Sequence, residues 1–391
     1  MSFPRSCRRV SIIVTCVLGV ALLGGSSGLL GACGPFTDVA NDVFCAFVQE
    51  VFYLGITTGT TATTYDPTSN VSRLQMAAFL SRSVDGVLKR GGRRAALDQF
   101  WTTQNASALG LTTVGQVPLG LKSDGADIWA ANNFDSTVSH VRGTDGKLLD
   151  TWTGAFNAQG VLIAMNRVFV SGGGGPGNLY RIDPTQAPGV VTTLASTLGS
   201  APTGIAFDGS RIWTANNGVA ASVSIVTPGA TIPWTVTNVT AGFTHPLGMV
   251  YDGANIWVTD PNVTTLLKLD SAGAVLQTVT IGDGRFPVFD GANIWVPNFS
   301  SGTVSVVRAS NGAVLQTLTG NGLIGPNAAA FDGQRVLVTN LAGNSVSLWK
   351  AADLTSLGSF PTGTATAPYG ACSDGVGFWI TLEAGNQLAR F

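Results

Sequence analysis

The chain reads Pro118-Leu119-Gly120-Leu121-Lys122-Ser123-Asp124-Gly125 and then, two residues later, Ile128-Trp129. The same pattern of a proline, a small residue two positions on and an aspartate six positions on returns at Pro202, Pro246, Pro326 and Pro368. In most copies an Ile-Trp pair follows. A repeat of about 40 residues built from short strands and turns is typical of a β-propeller.

Two further copies are irregular. In one, Ala158 and Ala164 stand where the proline and the aspartate are expected, and in the other Pro287 lies only three positions before Asp290. One strand of each copy carries an aromatic or leucine position, and these positions are 129, 169, 213, 257, 295, 337 and 379. The sequence therefore predicts a mainly β protein whose largest part is a seven-bladed propeller over residues 101–391.

The chemistry of the repeat fits a blade. The small residue suits the crowded strand that lines the propeller axis, and the Asp-Gly pair suits a tight turn because glycine tolerates a positive φ. Residues 385–391 read as a third strand, so the last blade needs an outer strand from elsewhere. We expect residues near 108–114 to supply it, which also removes a free sheet edge.

Composition excludes some functions. Only 11% of the residues are charged and the net charge is −1, so no basic surface is predicted to hold nucleic acid. The chain has two histidines, His140 and His245, and two glutamates, Glu50 and Glu383. Acid–base chemistry would depend on these or on aspartate. We predict no metal and no cofactor.

The amino terminus has the features of an export signal. Three arginines precede an apolar run at residues 10–23, which is too short to span a bilayer. The segment ends in Leu30-Gly31-Ala32-Cys33, which resembles a bacterial lipobox, and lipidation of Cys33 would anchor the protein to a membrane. The alternative is ordinary cleavage after residue 32, and then Cys33 is a plain thiol that can pair with Cys45. Membrane contact is expected only through the signal peptide or this anchor.

Residues 35–83 differ from the rest of the chain because their apolar residues recur at helical spacing. The stretch contains Phe36-Thr37-Asp38-Val39, Leu54-Gly55-Ile56-Thr57-Thr58-Gly59, Tyr65-Asp66-Pro67 and Val71-Ser72-Arg73-Leu74-Gln75-Met76-Ala77. In this order the motifs resemble a single S-layer homology motif. The resemblance implies docking to cell-wall polysaccharide, with Arg73 and Asp38 as candidate ligands. Gln75 replaces the family's glutamate. In the alternative interpretation, Arg73 is a solvated arginine or pairs with Asp38 or Asp66. Residues 84–100 are expected to be a linker.

The repeats over residues 108–391 resemble YVTN/YncE-like and NHL-like bacterial propellers and, more distantly, virginiamycin B lyase and lactonase propellers. Fold resemblance alone does not assign an activity. Eight positions after each turn aspartate position, five of the seven copies carry Asn or Asp. Those five residues are candidates for a ligand-binding polar ring at the axis: Asn132, Asn216, Asp260, Asn298 and Asn340. Alternatively they end their strands by bonding local backbone.

His245 directly precedes Pro246 and should face the channel mouth. His245, Asp260 and Glu383 are the candidate catalytic residues of one alternative, an enzyme of the lyase or lactonase type. Our preferred hypothesis is different. It is an exported, monomeric cell-envelope protein whose propeller is a non-catalytic binding platform for wall polysaccharide or an envelope protein. A structural surface-layer component is the third alternative.

Overall fold

The structure is a computed structural model that describes residues 36–39, 45, 48, 51–52, 57–80 and 110–391. The chain divides into two compact units, with the boundary after Arg90. The predicted signal segment 1–32, Cys33 and the linker 84–100 lie outside the described residues. Among those residues, no helix is both long enough and apolar enough to cross a membrane.

The second unit contains seven four-stranded antiparallel sheets, which are the blades of a propeller. Strand β1 spans Leu111–Thr113, and the remaining strands follow in chain order. Blades 1 to 3 contain β2 (Pro118–Ser123), β3 (Asp127–Asn132), β4 (Thr137–Arg142) and β5 (Leu148–Thr153); β6 (Val161–Ala164), β7 (Arg167–Gly173), β8 (Gly177–Ile182) and β9 (Thr192–Leu198); β10 (Pro202–Phe207), β11 (Ile212–Asn216), β12 (Ser222–Thr227) and β13 (Thr235–Val239).

Blades 4 to 7 complete the ring, and a 3₁₀ turn at Pro261–Val263 lies inside blade 4. These blades contain β14 (Met249–Tyr251), β15 (Ile256–Asp260), β16 (Thr265–Leu269) and β17 (Val275–Thr280); β18 (Val288–Phe289), β19 (Asn293–Asn298), β20 (Thr303–Arg308) and β21 (Val314–Leu318); β22 (Pro326–Phe331), β23 (Arg335–Asn340), β24 (Ser345–Lys350) and β25 (Ser356–Pro361); β26 (Pro368–Ser373), β27 (Phe378–Leu382) and β28 (Gln387–Arg390), with β1 as the fourth strand of blade 7.

Blade 7 is built from both ends of the propeller sequence. Strand β1 pairs with β28 in antiparallel register, with Leu111 opposite Ala389 and Thr113 opposite Gln387. The Asn386 side chain adds a hydrogen bond by accepting from the Val117 amide at 2.9 Å. The ring is therefore closed by backbone pairing between segments that lie far apart in the chain, and β28 is paired on both sides.

The blades pack through their indoles. Trp257 is fully buried and packs against Ile294 and Val307 of the next blade, and Trp379 packs in the same way against Ile128 and Val141 of blade 1. Each buried indole still needs an acceptor for its N–H group. The acceptor is the turn aspartate five positions earlier, as in the 2.7 Å bond from Trp257 Nε1 to Asp252 Oδ2.

The turn aspartate therefore has two functions in the repeat. One oxygen of Asp252 accepts from the amides of Ala254 and Asn255, which forms the turn, and the other binds the indole. The same bond to a tryptophan occurs at Asp124, Asp208, Asp290 and Asp374. The sequence pattern predicts the turn, but the spacing of five between aspartate and tryptophan also specifies this bond.

These hydrogen bonds make the propeller sensitive to acid. Burial alone raises the pKa of Asp208, but the bonds from the Trp213 indole and the amides of Arg211 and Ser210 outweigh it and bring the pKa to about 2. A similar balance lowers the pKa of Asp124. The ordinary value is 3.8. Since the folded protein favours the ionised form, the contribution to stability is complete above that value and is lost as pH falls toward 2.

We therefore expect the melting temperature of the propeller to fall steeply between about pH 4 and pH 2. Thermal unfolding followed by circular dichroism at fixed ionic strength measures this dependence. The Asp208→Asn variant should be less stable at pH 6 and should show a shallower fall below pH 4. A slope equal to that of the wild-type protein would show that Asp208 is not one of the titrating groups.

The axial strands approach one another closely. A Cβ on Gly204 would lie 2.5 Å from the Leu247 carbonyl oxygen, and a Cβ on Gly370 would collide with the carbonyl of Leu119 in blade 1. Buried hydroxyls on the second strands also reach the axial segment of the next blade. Thr381 Oγ1 donates to the Leu119 carbonyl at 2.9 Å, and Thr259 Oγ1 donates to the Arg285 carbonyl at 2.9 Å. Neighbouring blades are thus joined by direct hydrogen bonds as well as by apolar contact.

Blade 5 keeps the strand pairing of the repeat, although Pro287 does not occupy the position of the repeat proline. Gly284, six positions before Asp290, pairs with Asn298, just as Pro118 pairs with Asn132 in blade 1. Pro287 is therefore not the repeat proline. Counting from Gly284 places Arg285 and Phe286 where blade 1 has Leu119 and Gly120.

The first unit has a small core of its own. Phe36, Val39 and Val48 are buried, and Phe52 and Tyr65 pack against them. Residues 45, 48, 51 and 52 are helical, and a second helical segment covers residues 73–80. Its start is capped reciprocally: the Gln75 amide donates to Ser72 Oγ at 3.2 Å, and the Ser72 amide donates to Gln75 Oε1 at 2.8 Å. Gln75 therefore performs the capping role that the family's glutamate can perform.

Candidate functional site at the channel mouth

Two faces of the propeller have different loops. The proline face is the face on which the inner strands begin and the second strands end, and the opposite turn face carries the Asp-Gly turns. Between them runs a central channel with a cavity of about 90 Å³, lined by inner-strand residues such as Gly120, Met249, Phe286 and Tyr369. Its volume corresponds to about three water molecules. The channel is too small to enclose a metabolite-sized ligand.

The structure places the five predicted ring residues at the proline-face ends of the second strands, and all five are fully buried. The Asn132 amide donates to Thr137 Oγ1 and Ser139 Oγ at 2.9 Å each. Asn216, Asn298 and Asn340 each donate to two hydroxyls of their own blade in the same way. These amides therefore tie the second strand of a blade to the third.

Asp260 has a comparable role. Its carboxylate accepts from the Thr244 amide at 2.7 Å, from Thr244 Oγ1 at 2.6 Å and from the His245 amide at 2.9 Å. The bond to His245 involves the backbone, and the imidazole makes no hydrogen bond with any residue in the described ranges. The structure thus brings Asp260 and His245 together through the His245 amide, which anchors the loop to Asp260.

Glu383 belongs to a different part of the face. It lies in blade 7, where its amide donates to the Ala367 carbonyl at 3.1 Å. Burial raises the pKa of the Glu383 carboxyl. Burial and the charge of Glu383 together raise the pKa of Tyr369 to about 12, while Arg285 acts in the opposite direction. Glu383 therefore shares its surroundings with Tyr369 and Arg285, and no hydrogen bond or ion pair links it to His245 or Asp260.

The motif reading does not single out Arg285 or Tyr369. Arg285 lies with its guanidinium carbon 4.7 Å from the centre of the Phe299 ring, and its buried Nε has no hydrogen-bond acceptor. Tyr369 packs against Phe286 with ring centres 5.6 Å apart. Counting six positions back from Asp290 gives Gly284, so Arg285 occupies in blade 5 the position that Tyr369 occupies in blade 7, but Pro287 concealed that register.

A larger groove of about 620 Å³ lies on the turn face between blades 5 and 6. Two of the charged side chains that line the groove already have hydrogen-bond partners. Asp290 accepts from the Trp295 indole, and Arg335 Nε donates to Asp332 at 2.7 Å. Lys350 is the remaining charged residue of its lining. We find no group of three or more His, Cys, Asp or Glu side chains within the described residues that could hold a metal ion.

Outside the channel, His140 packs within blade 1 between a tryptophan and two aspartates. Its ring stacks on Trp129 with centres 3.8 Å apart, and its two nitrogens face Asp150 at 3.0 Å and Asp127 at 3.2 Å. Cys372 is also internal, and burial raises the pKa of its thiol to about 12. Neither residue reaches the channel mouth.

In the first unit, Asp38 and Arg73 do not pair. Hydrogen bonds from the amides of Tyr65 and Asp66 lower the pKa of Asp38 and occupy its carboxylate. Arg73 is exposed and, within the described part of the chain, makes no ion pair or hydrogen bond. Its guanidinium is accessible to a ligand outside the module.

Comparison with known families agrees with this local geometry. Residues 35–77 match the family profile of the S-layer homology domain. This module is an S-layer homology domain. Such a domain together with a β-propeller indicates a protein of the cell surface or cell envelope.

Solved structures match the propeller. A streptogramin B lyase has 14% identity and a TM-score of 0.60, with 72% of this chain and 96% of that chain covered. Virginiamycin B lyase from Staphylococcus aureus has 16% identity and a TM-score of 0.58, with 72% and 98% covered. The hydrazine synthase of Kuenenia stuttgartiensis has 15% identity and a TM-score of 0.60, with 72% and 97% covered. At these identities the matches show the fold alone. No curated protein matches the chain in sequence.

Proposed function

We propose that this protein is exported to the cell envelope and that its propeller is a non-catalytic binding platform. In this proposal the S-layer homology domain contacts wall polysaccharide, as such domains typically do, and the accessible Arg73 is one contact. The proline face of the propeller then presents its channel mouth and loops to a ligand or to an envelope protein. Arginine suits such a contact because its planar fork binds carboxylate groups.

One observation carries the proposal. The side chains of Gln159 and Tyr369, which line the channel, and of Arg285 and Glu383, whose charges act on the pKa of Tyr369, make no hydrogen bond or ion pair with any described residue. By contrast, the Asp260 carboxylate is fully engaged by its own loop. The mouth therefore offers binding groups, and Asp260 is occupied as a structural acceptor.

Apolar loop residues on the same face support the proposal. Phe134, Phe156 and Ile324 are 74%, 56% and 58% exposed, and Val219 is fully exposed. All four lie on loops that open to the proline face. Contiguous exposed apolar patches mark interaction surfaces, and the proposal assigns these loops to such a surface.

Site-specific photo-crosslinking tests the platform in intact envelopes. A photoreactive residue at Phe134 or Val219 is expected to give discrete crosslinked products. The same residue at Leu315, which is 40% exposed on the outer strand β21, should give none. Leu315 is the matched control because it is an exposed apolar residue away from the proline face. Equal crosslinking at all three positions, or at Leu315 alone, would refute a platform on this face.

A further inference from the structure

Seven residues, one from each blade, occupy equivalent positions at the start of the inner-strand segments, and four of them (Leu119, Gln159, Thr203 and Tyr369) line the channel. Each follows the repeat proline position by one: Leu119, Gln159, Thr203, Leu247, Arg285, Asn327 and Tyr369. Thr203 and Asn327 are engaged, because Thr203 Oγ1 donates to the Leu247 carbonyl at 2.8 Å and Asn327 Nδ2 donates to the Tyr369 carbonyl at 3.0 Å. The other three polar members have no partner in the propeller. Of these three, Gln159 and Tyr369 line the channel, and the Arg285 guanidinium is close enough to Tyr369 to act on the pKa of its hydroxyl.

Arg285 is held ready for an anion. Stacking on Phe299 fixes the plane of the guanidinium, and its carbonyl is held by the hydroxyl of Thr259 at 2.9 Å. None of the ion pairs in the described residues involves Arg285. A partly buried guanidinium without an acceptor is unfavourable, and a carboxylate can satisfy it through two parallel hydrogen bonds.

The cavity of the channel limits what can accompany the carboxylate. Its volume of about 90 Å³ suits a small side chain, and its lining combines glycine, alanine and apolar side chains with Lys122, Gln159, Thr203 and Tyr369. A sugar ring with its hydroxyls is larger than the roughly three water molecules that this volume represents. Lys122 is the charged residue of the lining, so no anion within it opposes a carboxylate.

We propose that the channel mouth binds the carboxyl terminus of a peptide whose last residue is small. The Arg285 guanidinium pairs with the terminal carboxylate, the Tyr369 hydroxyl and the Gln159 carboxamide bond the last peptide group, and the last side chain enters the channel. This assignment rests on the proposed binding function and adds the chemistry of the ligand to it. Glu383 lies at the edge of the site and opposes the bound carboxylate.

Calorimetric titration of the full chain with N-acetyl-Ala-Ala tests the assignment, and N-acetyl-Ala-Ala-amide is the neutral control ligand. The free carboxylate is expected to bind roughly tenfold more tightly than the amide or better. Arg285→Gln should remove this difference, and Arg285→Lys should retain part of it because lysine keeps the charge without the fork. Glu383→Gln should strengthen binding about two- to fivefold by removing a like charge.

Two controls separate binding from folding. Arg308→Gln changes an exposed arginine at the end of β20 and should leave the titration unchanged. The Arg285 guanidinium makes no hydrogen bond or ion pair in the described propeller, so Arg285→Gln loses the contact with Phe299 alone and should lower the melting temperature by no more than about 2–4 °C.

Four results would overturn the assignment. Three are equal affinity for the acid and the amide, unchanged affinity in Arg285→Gln, and tighter binding of glucuronate than of the peptide acid. The fourth is binding of a cationic probe, Ala-Ala-amide, that is lost in Glu383→Gln, because it would show that the site recognises the opposite charge. If any of these results is obtained while the proline face still gives crosslinks, the proposed binding platform is retained and the proposed recognition of a peptide carboxyl terminus is wrong. If crosslinking also fails, the platform itself is wrong.

Discussion

Replacing Gly370 with alanine is expected to lower the free energy of unfolding of the propeller by about 3 kcal/mol. A Cβ at this position collides with the Leu119 carbonyl and lies 2.9 Å from Leu121 Cδ2, so blades 7 and 1 must separate. Separation also weakens the bond from Thr381 Oγ1 to the same carbonyl. Thermal unfolding should show a decrease in melting temperature of roughly 5–10 °C.

Gly174→Ala is the matched control. Gly174 has no heavy atom within 4 Å of its virtual Cβ and does not adopt a positive φ. Its substitution should change the free energy of unfolding by no more than about 0.5 kcal/mol. Equal stability of the Gly370 and Gly174 variants would mean that the axial strands can move apart freely, which would contradict a rigid closure at blade 7.

The sequence could predict the number of blades because the repeat encodes local structure. Asp-Gly specifies a turn whatever the rest of the chain does, and the indole five positions later must be buried against the next blade. Those local requirements recur in five copies and are strong enough to locate the other two. The S-layer homology resemblance is predictable for a related reason, since its motifs follow one another in order within residues 36–80.

The channel mouth could not be predicted in the same way. Gln159, Arg285 and Tyr369 occupy equivalent positions in three different blades, so their proximity results from ring closure and not from chain spacing. These three positions carry different residue types in different blades, whereas the asparagines recur at one position of the repeat and are therefore easy to recognise in the sequence. Recurrence in most blades marked a structural requirement, namely an amide that bonds two hydroxyls of the next strand. Variation at one position around the ring is the more informative signal for a binding site.

Turn aspartates provide the second large effect. Asp252→Ala is expected to cost about 3 kcal/mol, because two turn amides lose an ionised acceptor and the buried indole of Trp257 is left unsatisfied. Chemical denaturation with tryptophan fluorescence measures both the free energy and the environment of the indole. A loss of about 1 kcal/mol is expected for Asp270→Ala, the control, since Asp270 accepts from the amides of Ala272 and Ala274 but bonds no indole.

A double-mutant cycle isolates the indole bond from the turn. In a Trp257→Phe background the N–H donor is absent, so Asp252→Ala should then cost roughly 1–2 kcal/mol less than it does alone. Phenylalanine keeps much of the apolar contact with Ile294 and Val307, so the comparison concerns the hydrogen bond rather than the packing. If the cost of Asp252→Ala were the same in both backgrounds, the aspartate would act through its turn alone. The recurrence of tryptophan five residues after it would then reflect only packing between blades.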